Sequence, residues 1–347
     1  MKIVTITDAW HPQVNGVVRT IDATNRELEK AGHTVAVIGP DQFAAVRCPG
    51  YSEIRLSVCP YGRLADLLDR HIAWGATAIH VATEGPLGRA ARRYCVARGL
   101  PFTTAYHTRF PQYLRAMFGV PERWTYAVLR RFHGDASCVM APTRTVEAEL
   151  RANGIDNVGR WTRGVDLDVF QPREPMLSDL PRPLSLYVGR VSVEKNIGAF
   201  LTLDLPGTKV VAGVGPELDV LKRRFPEVRF LGVLELEELA RLYSSADVFV
   251  FPSLTDTFGL VMLEALACGT PVAAFPVQGP IDVVGESSVA VLDHDLQKAV
   301  LLAQRIDRAE CRQYAQRYSW HSATQQFLRL QQPVTAVPAG KMASRRA

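Results

Sequence analysis

The chain has 347 residues, of which 47% are hydrophobic and 22% are charged. This length suits two domains of ordinary size, and the composition is that of a folded globular protein rather than a disordered or membrane-spanning one. No stretch approaches the roughly eighteen consecutive apolar residues of a membrane span, and Asp8 and His11 interrupt the first apolar stretch. These features exclude a single small module and predict a cytoplasmic protein.

The six cysteines stand at positions 48, 59, 95, 138, 268 and 311 and include no CxxC pair. Most of their neighbours in the sequence are apolar, which is typical of buried thiols in a reducing compartment. The cysteine pattern therefore excludes a disulfide scaffold and a zinc ribbon.

The net charge of +5 arises entirely in the first half, where 21 Lys and Arg face 16 Asp and Glu over residues 1–170. Residues 89–131 alone hold nine arginines and a single acid, Glu122, interleaved with aromatic residues. The simplest interpretation is a pair of solvated helices whose aromatic side chains face the core. A basic face with aromatic residues also fits an anionic membrane surface. Nucleic acid is the weakest of the three interpretations, because no nucleic-acid-binding signature accompanies the segment.

The first elements in chain order form a strand, a helix and a second strand. Residues 2–7 alternate as a buried strand, residues 17–30 have helical spacing, and residues 34–38 form the next strand. Short apolar runs at 78–81, 102–106 and 137–141 continue this pattern, with helix-like stretches between them. The first half is therefore predicted to be a doubly wound parallel sheet.

A cluster of four prolines at 172–183 follows, and it predicts a linker because proline removes a backbone donor and restricts its neighbours. The α/β pattern then restarts, with predicted strands at 185–188, 209–214, 228–231, 248–251 and 271–275. Residues 296–331 have helical spacing. Residues 332–347 lack periodicity and are predicted to be a disordered tail.

Two acids stand near the end of the 248–251 strand. Asp256 lies in a polar loop, and Glu264 lies inside the helix that opens around Gly259. The free amides of a helix start bind anions, and two carboxylates at this spacing can meet different hydroxyls of one ligand. The alternative is an acid favoured by the helix dipole followed by an ordinary helical glutamate.

Two further turns follow predicted strands of the second half. Arg190 and Lys195 flank a turn after the 185–188 strand, where a guanidinium and an ammonium could hold a diphosphate. The glycine turn at 213–217 suits close backbone approach to a nucleotide base, although such a turn is a weak signal alone.

These segments carry a resemblance. Residues 189–196, 213–217 and 253–272 resemble the donor-domain motifs of retaining glycosyltransferases of family 4, and residues 8–19, 79–88, 106–108 and 163–172 resemble the same family. The resemblance implies the GT-B fold, an α/β architecture of two Rossmann-like, doubly wound domains that face each other across a cleft. It is closest to lipid-directed members that transfer mannose, glucose or glucuronate.

The resemblance also implies a domain plan. Residues 1–172 would form an acceptor-binding domain, residues 173–312 a nucleotide-sugar-binding domain, and residues 313–331 a C-terminal helix that packs back on the first domain. Asp256 stands where the family has the first of two glutamates, and Asn15-Gly16 stands where many members have two glycines.

The same resemblance assigns site residues. The catalytic residues would be His107, Asp256, Arg190 and Lys195. The nucleotide-sugar-binding residues would be Gly16, Arg190, Lys195, Gly215, Thr257, Phe258, Gly259, Leu260 and Glu264. The DxD pairs at 166–168 and 293–295 formally match a metal motif but are discounted, because the implied fold works without a metal or other cofactor.

The leading hypothesis is thus a retaining glycosyltransferase on the inner face of the cell membrane. It would move a hexose, with glucose or glucuronate from a UDP-sugar favoured, to a lipid hydroxyl such as that of diacylglycerol. A GDP-mannose-dependent α-mannosyltransferase acting on a lipid or polysaccharide precursor and a sugar-nucleotide epimerase remain alternatives. A dehydrogenase is disfavoured because the first turn lacks GxGxxG. An exported binding protein is disfavoured because no signal peptide is predicted.

Overall fold

The protein is described from a computed structural model over residues 1–13, 15–48, 51–58, 60–285 and 287–334. The strands are β1 (Lys2–Ile6), β2 (Thr34–Ile38), β3 (Ala44–Cys48), β4 (Tyr51–Val58), β5 (Ala78–Val81), β6 (Thr103–Ala105), β7 (Cys138–Ala141), β8 (Val158–Arg160), β9 (Leu184–Val188), β10 (Thr208–Ala212), β11 (Arg229–Gly232), β12 (Val248–Phe251), β13 (Val272–Ala274) and β14 (Ala290–Leu292).

The helices that connect and cover these strands are α1 (Gly16–Lys30), α2 (Tyr61–Ala73), α3 (Pro86–Arg98), α4 (Phe110–Phe118), α5 (Glu122–His133), α6 (Arg144–Ala152), α7 (Ile197–Leu201), α8 (Leu218–Arg224), α9 (Leu236–Ser245), α10 (Leu260–Ala267), α11 (Gln278–Val283), α12 (Leu296–Ala303), α13 (Arg308–Ala315) and α14 (Trp320–Leu330).

Two six-stranded parallel sheets organise the molecule. The first has the strand order β2-β1-β5-β6-β7-β8, and the second has the order β11-β10-β9-β12-β13-β14. The chain winds outward in both directions from the middle of each sheet, so the strand order reverses between β1 and β5 and again between β9 and β12. Such switch points open a crevice beyond the carboxyl ends of the strands, where nucleotide ligands bind in this architecture. The predicted pair of Rossmann-like domains is confirmed.

The inner strands are apolar on both faces because helices cover both sides of each sheet. Every residue of β5, β7 and β12 is buried, which matches the continuous apolar runs expected of buried parallel strands. The short strands β8 and β14 lie at sheet edges, and β3 pairs antiparallel with β4 outside the main sheets. Sequence periodicity did not predict these four strands.

The region 296–331, predicted to be helical, forms the three helices α12, α13 and α14. Side-chain oxygens of Asp295, Asp307 and Ser319 accept hydrogen bonds from amides in the first turns of α12, α13 and α14. Each of these residues is the N-cap of a new helix, so the chain turns between one helix and the next.

The chain crosses between the two sheets twice. The connection from β8 to β9 carries Val165 and Phe170, whose side chains pack in the apolar core beneath the second sheet. Later, α14 contacts α1, and Phe327 packs against Trp161 and Ile3 in the core of the first sheet. Of the predicted tail, residues 335–347 lie outside the described residues.

Candidate functional site

The loops after β9 and β12 meet at the switch point of the second sheet. Lys195 follows β9 and Asp256 follows β12, and Lys195 Nζ lies 2.5 Å from Asp256 Oδ1. The other carboxylate oxygen of Asp256 is buried and has no hydrogen-bond partner among the described residues. The structure thus joins two predicted site residues that are 61 positions apart and leaves one acid oxygen free to bind a ligand.

The second acid lies on α10 and bonds to the other domain. Glu264 is only 5% exposed, and its Oε1 lies 2.6 Å from Nη1 of Arg19 on α1. Tyr243 donates its hydroxyl hydrogen to the other oxygen of Glu264 at 3.1 Å. The Glu264 carboxylate raises the pKa of Arg19 above its ordinary value. A buried carboxylate needs such partners, because removing a charge from water is costly.

Gly259 sets the direction in which α10 starts. Its φ of +84° is left-handed, which favours glycine. A Cβ there would also meet the flexible end of Met262 at 2.8 Å and Phe251 Cζ at 3.0 Å. Leu260 Cδ1 comes within 4.0 Å of the Cβ position of Gly16. The N-termini of α1 and α10 therefore lie close together across the domain boundary. The Asn15 side-chain oxygen accepts hydrogen bonds from the amides of Val17 and Val18 in the first turn of α1, whereas no side chain caps α10.

The residues between Asp256 and Gly259 face opposite ways. Thr257 Oγ1 donates a hydrogen bond to the His107 carbonyl oxygen at 2.9 Å, which joins the two domains. The Phe258 side chain is 5% exposed and packs in the core of the second sheet. Only the backbone of Phe258 is available for the predicted ligand contact.

His107 is half-buried behind this junction. Its Nδ1 lies 3.2 Å from Nη2 of Arg163, and its Nε2 is buried without a hydrogen-bond partner among the described residues. Burial, the Arg163 charge and His80 together hold the pKa of His107 well below its ordinary value. The imidazole is therefore neutral and can donate one hydrogen bond, but it cannot supply a positive charge.

The remaining predicted donor-side residues are Arg190, in the loop after β9, and Gly215, in the loop after β10. The Tyr187 hydroxyl donates to the Arg190 carbonyl oxygen at 2.7 Å, and Arg190 Nε lies 3.9 Å from Glu194 Oε1. A Cβ on Gly215 would meet the Val191 carbonyl oxygen at 2.2 Å. The loop after β9 packs closely against the loop after β10, and this packing accounts for the glycine at position 215 without a ligand.

The two DxD pairs have structural roles. Asp166 Oδ1 accepts hydrogen bonds from the amides of Asp168 and Val169. Asp293 pairs with Lys298 at 2.6 Å, and Asp295 caps α12. The carboxylates of Asp166, Asp293 and Asp295 therefore hold their own turns together.

Asp8, which lies in the segment that resembles the family motif after β1, serves as a helix cap. Its carboxylate accepts hydrogen bonds from the amides of Leu87 and Gly88 and from the Thr83 hydroxyl. These contacts fix the start of α3 at the carboxyl end of β5.

The arginine-rich segment 89–131 divides into paired and exposed parts. Acids outside the segment neutralise three of its arginines: Arg92 pairs with Asp135, Arg98 with Asp69, and Arg109 with Glu149. A fourth, Arg115, pairs with Glu122 inside the segment. Four of its aromatic residues are buried in the core: Tyr94, Phe102, Tyr106 and Tyr126.

The outer face of α5 has a different character. Trp124 is 60% exposed and Val128 is 54% exposed, and Arg123, Arg130 and Arg131 beside them are exposed as well. We call these five residues the α5 face. Among the described residues, no helix combines the length and the apolar content needed to cross a membrane.

Sequence reasoning did not identify three residues of the site. Arg19 lies three positions after Gly16, and this i,i+3 spacing places both at the start of α1, so the helix register could have indicated it. Tyr243 and Arg163 reach Glu264 and His107 only through the tertiary fold. No local signal in the sequence marks Tyr243, whereas Arg163 opens the 163–172 segment that resembles the family.

Comparison with known proteins agrees with this geometry. Residues 14–169 match the family model Glycosyltransferase Family 4, and residues 182–309 match the model Glycosyl transferases group 1. A GDP-mannose-dependent alpha-mannosyltransferase of Mycobacterium tuberculosis is 29% identical over 346 residues, which cover 88% of this chain and 91% of the relative. The alpha-monoglucosyldiacylglycerol synthase of Streptococcus pneumoniae is 29% identical over 87% of this chain and 78% of the relative.

Solved structures support the fold. Sucrose-phosphate synthase from Thermosynechococcus elongatus superposes with a TM-score of 0.73 at 22% identity over 95% of this chain and 98% of that one. Anabaena Alr3699/HepE, in complex with UDP and glucose, superposes with a TM-score of 0.69 at 16% identity over 95% and 98%. With a family 4 model matched in the first domain and a group 1 model in the second, the chain belongs to the GT-B glycosyltransferases.

Proposed function

We propose that this protein transfers a hexosyl group from a nucleoside diphosphate sugar to a hydroxyl of a membrane lipid, with retention of configuration and without a metal ion. One observation carries the proposal: the Lys195–Asp256 pair and the buried Glu264 lie together at the switch point of the second sheet, opposite the N-terminus of α1. This is the position at which nucleotide ligands bind in doubly wound sheets.

Each group has a role in binding the donor. Glu264 would accept hydrogen bonds from the ribose hydroxyls, and the unpartnered oxygen of Asp256 would accept one from the sugar. Arg190 and Lys195 would bind the diphosphate. The N-termini of α1, at Gly16, and of α10, at Gly259 and Leu260, would add backbone amide hydrogen bonds to phosphate oxygens.

The chemistry requires stabilisation of the negative charge that develops on the diphosphate as the bond to the sugar breaks. Fixed cations in a preorganised site supply such stabilisation, and each donor typically contributes a factor of about 10² to 10³ in rate. Arg190 and Lys195 are the cations on the donor side, so the proposed reaction does not require a metal. The neutral His107 would donate a hydrogen bond to a hydroxyl of the sugar and orient its anomeric carbon.

Retention is supported by the chemistry of the relatives. The sugar of GDP-mannose is α-linked, and the relative from Mycobacterium tuberculosis is described as a GDP-mannose-dependent alpha-mannosyltransferase. An α-linked donor that yields an α-linked product has kept its configuration. In the proposed reaction the acceptor hydroxyl attacks from the face that the diphosphate leaves and transfers its proton to that diphosphate.

The α5 face supports a membrane-bound acceptor. Its tryptophan, valine and three arginines are exposed together on the first domain, which suits an anionic lipid surface. The relatives include an alpha-monoglucosyldiacylglycerol synthase and a phosphatidylinositol dimannoside mannosyltransferase. We therefore propose peripheral attachment to the inner face of the cell membrane, with a lipid such as diacylglycerol as acceptor.

The donor is proposed as UDP-glucose or UDP-glucuronate, with GDP-mannose as the second candidate. Three GDP-mannose-dependent alpha-mannosyltransferases among the relatives, at 27% to 29% identity, support GDP-mannose as this second candidate.

The test is product formation by the purified protein on anionic liposomes that contain diacylglycerol or phosphatidylinositol. The three donors are supplied separately, with EDTA present, and the anomeric configuration of any glycolipid is read by NMR. A glycolipid with an α-linkage from one donor supports the proposal. A β-linked product contradicts retention, activity only after a metal is restored contradicts metal independence, and epimerised donor without glycolipid contradicts transfer.

A further inference from the structure

Arg163 is a buried cation in the segment that follows β8. Its side chain is enclosed, with the residue only 4% exposed, and its Nη1 donates to the carbonyl oxygens of Trp161 at 2.7 Å and Thr162 at 3.3 Å. The guanidinium also lies over the Trp161 ring, 4.4 Å from the ring centroid. These contacts hold the guanidinium in one orientation and leave Nη2 directed at another part of the chain.

Nη2 of Arg163 lies 3.2 Å from Nδ1 of His107. Because a guanidinium has only donors, Nδ1 must accept this hydrogen bond through its lone pair. A neutral imidazole then carries its proton on Nε2, which is buried and has no partner among the described residues. The contact with Arg163 therefore leaves the Nε2–H group of His107 as a hydrogen-bond donor without a partner among the described residues.

The surroundings keep the ring neutral. The charged and titratable groups that act on His107 are Arg163 and His80, and both oppose its protonation together with burial. The other contacts of His107 among the described residues are uncharged: the Trp161 ring faces it edge-on at 5.8 Å between centroids, and Thr257 donates a hydrogen bond to its carbonyl oxygen. Burial lowers the pKa of Arg163 to about 9, so Arg163 still carries its charge at neutral pH.

We propose that Arg163 is a positioning residue that fixes His107 as the neutral tautomer protonated on Nε2, so that His107 can donate a hydrogen bond to a hydroxyl of the donor sugar. The last part rests on the proposed function, whereas the tautomer does not. A purely structural role would have Arg163 anchor the 161–163 segment without influence on His107.

The first test reads the tautomer directly in the wild-type protein without substrate. Two-dimensional ¹⁵N NMR of histidine-labelled protein separates protonated from unprotonated ring nitrogens, and the His107→Asn variant identifies the His107 signals by their loss. We expect an unprotonated Nδ1 and a protonated Nε2 throughout pH 5 to 8. A proton on Nδ1, or a charged ring in this range, overturns the proposal.

The second test uses Arg163→Met and Arg163→Lys. The methionine variant loses the donor and the charge, so we expect mixed tautomers, a His107 pKa that rises towards its ordinary value, and a kcat about 10²-fold lower. The KM for the donor should change less than kcat. The lysine variant keeps a charged donor and should restore the Nε2 tautomer and most of kcat.

The tests also distinguish the two proposals. An Arg163→Met protein that is less stable but keeps the tautomer, kcat and pH profile would show a structural role and overturn the positioning role. If Arg163→Met does not fold, the wild-type spectrum and the Arg163→Lys variant still test whether Arg163 fixes the tautomer of His107. A wild-type protein that consumes no nucleotide sugar would overturn the proposed function and leave the tautomer assignment standing.

Discussion

Nη1 of Arg19 and Oε1 of Glu264 lie 2.6 Å apart, and the two residues belong to different domains and are 245 positions apart in the chain. Arg19 lies near the start of α1 and Glu264 lies on α10, so this ion pair joins the two helix N-termini that face the proposed donor site. Thr257 with His107, and Thr145 with Asp282, add two further hydrogen bonds between the domains.

Glu264→Ala should strongly reduce turnover and leave the fold intact. Arg19 is partly exposed and can be solvated when its partner is lost, but the donor loses the carboxylate proposed to bind its ribose. We expect a loss in kcat/KM of about 10²-fold or more, measured with the preferred donor and accompanied by circular dichroism. The matched control is Glu237→Ala, an exposed glutamate on α9. Near-normal activity of Glu264→Ala would refute the donor-site assignment.

Arg19→Gln should open the domains in the absence of ligand. It removes the only charge-to-charge contact between domains found among the described residues. We expect a larger radius of gyration by small-angle X-ray scattering, with Arg26→Gln on the exposed side of the same helix as control. An unchanged radius would mean that the ion pair does not hold the cleft closed.

Lys195→Met should slow the chemical step. The ammonium lies 2.5 Å from Asp256 and is proposed to stabilise the departing diphosphate. We expect kcat to fall by about 10² to 10³, measured by single-turnover kinetics. Lys222→Met on α8, where the lysine is exposed, should leave kcat unchanged. Equal effects in the two variants would argue against a role in catalysis.

Replacement of all three arginines of the α5 face by glutamine should weaken binding to anionic liposomes. Each cation near such a surface contributes about 1 kcal/mol, so three together correspond to roughly a 100-fold change in affinity. Co-sedimentation measures it. The control replaces three exposed arginines of the other domain, Arg223, Arg224 and Arg229. Equal sedimentation of both triple variants would contradict the proposed attachment of the α5 face to the membrane.

Buried His80 should make the protein less stable in acid. Burial lowers the pKa of His80 to about 3, whereas the unfolded value is about 6.5. Between these pH values the unfolded state binds a proton that the folded state does not. The free energy of unfolding therefore decreases by up to about 1.4 kcal/mol for each unit by which the pH is lowered. Urea unfolding from pH 7 to pH 4 measures this slope. His80→Asn should make this slope shallower by the contribution of one proton, while His107, whose pKa is also lowered, still contributes. His294→Asn, at an exposed position, should leave the slope unchanged.

Much of the fold was predictable because its signals are local. Continuous apolar runs marked β5 and β12, and helical spacing with a glycine stop marked α1. The missed strands lack such signals: β8 and β14 have three residues each at sheet edges, and β3 is stabilised by pairing with β4. Pairing partners are set by the tertiary fold rather than by a periodic pattern.

The sequence by itself determined the two α/β halves, the resemblance to GT-B glycosyltransferases, and the donor-loop acids Asp256 and Glu264, because residue type and spacing carry these features. The tertiary structure decided which partner each group has. Arg19 meets Glu264, Lys195 meets Asp256, and Arg163 meets His107. It also separated the exposed α5 face from arginines neutralised by distant acids. The physical reason is that electrostatic and hydrogen-bond partners depend on distance in space, which the order of residues along the chain does not give.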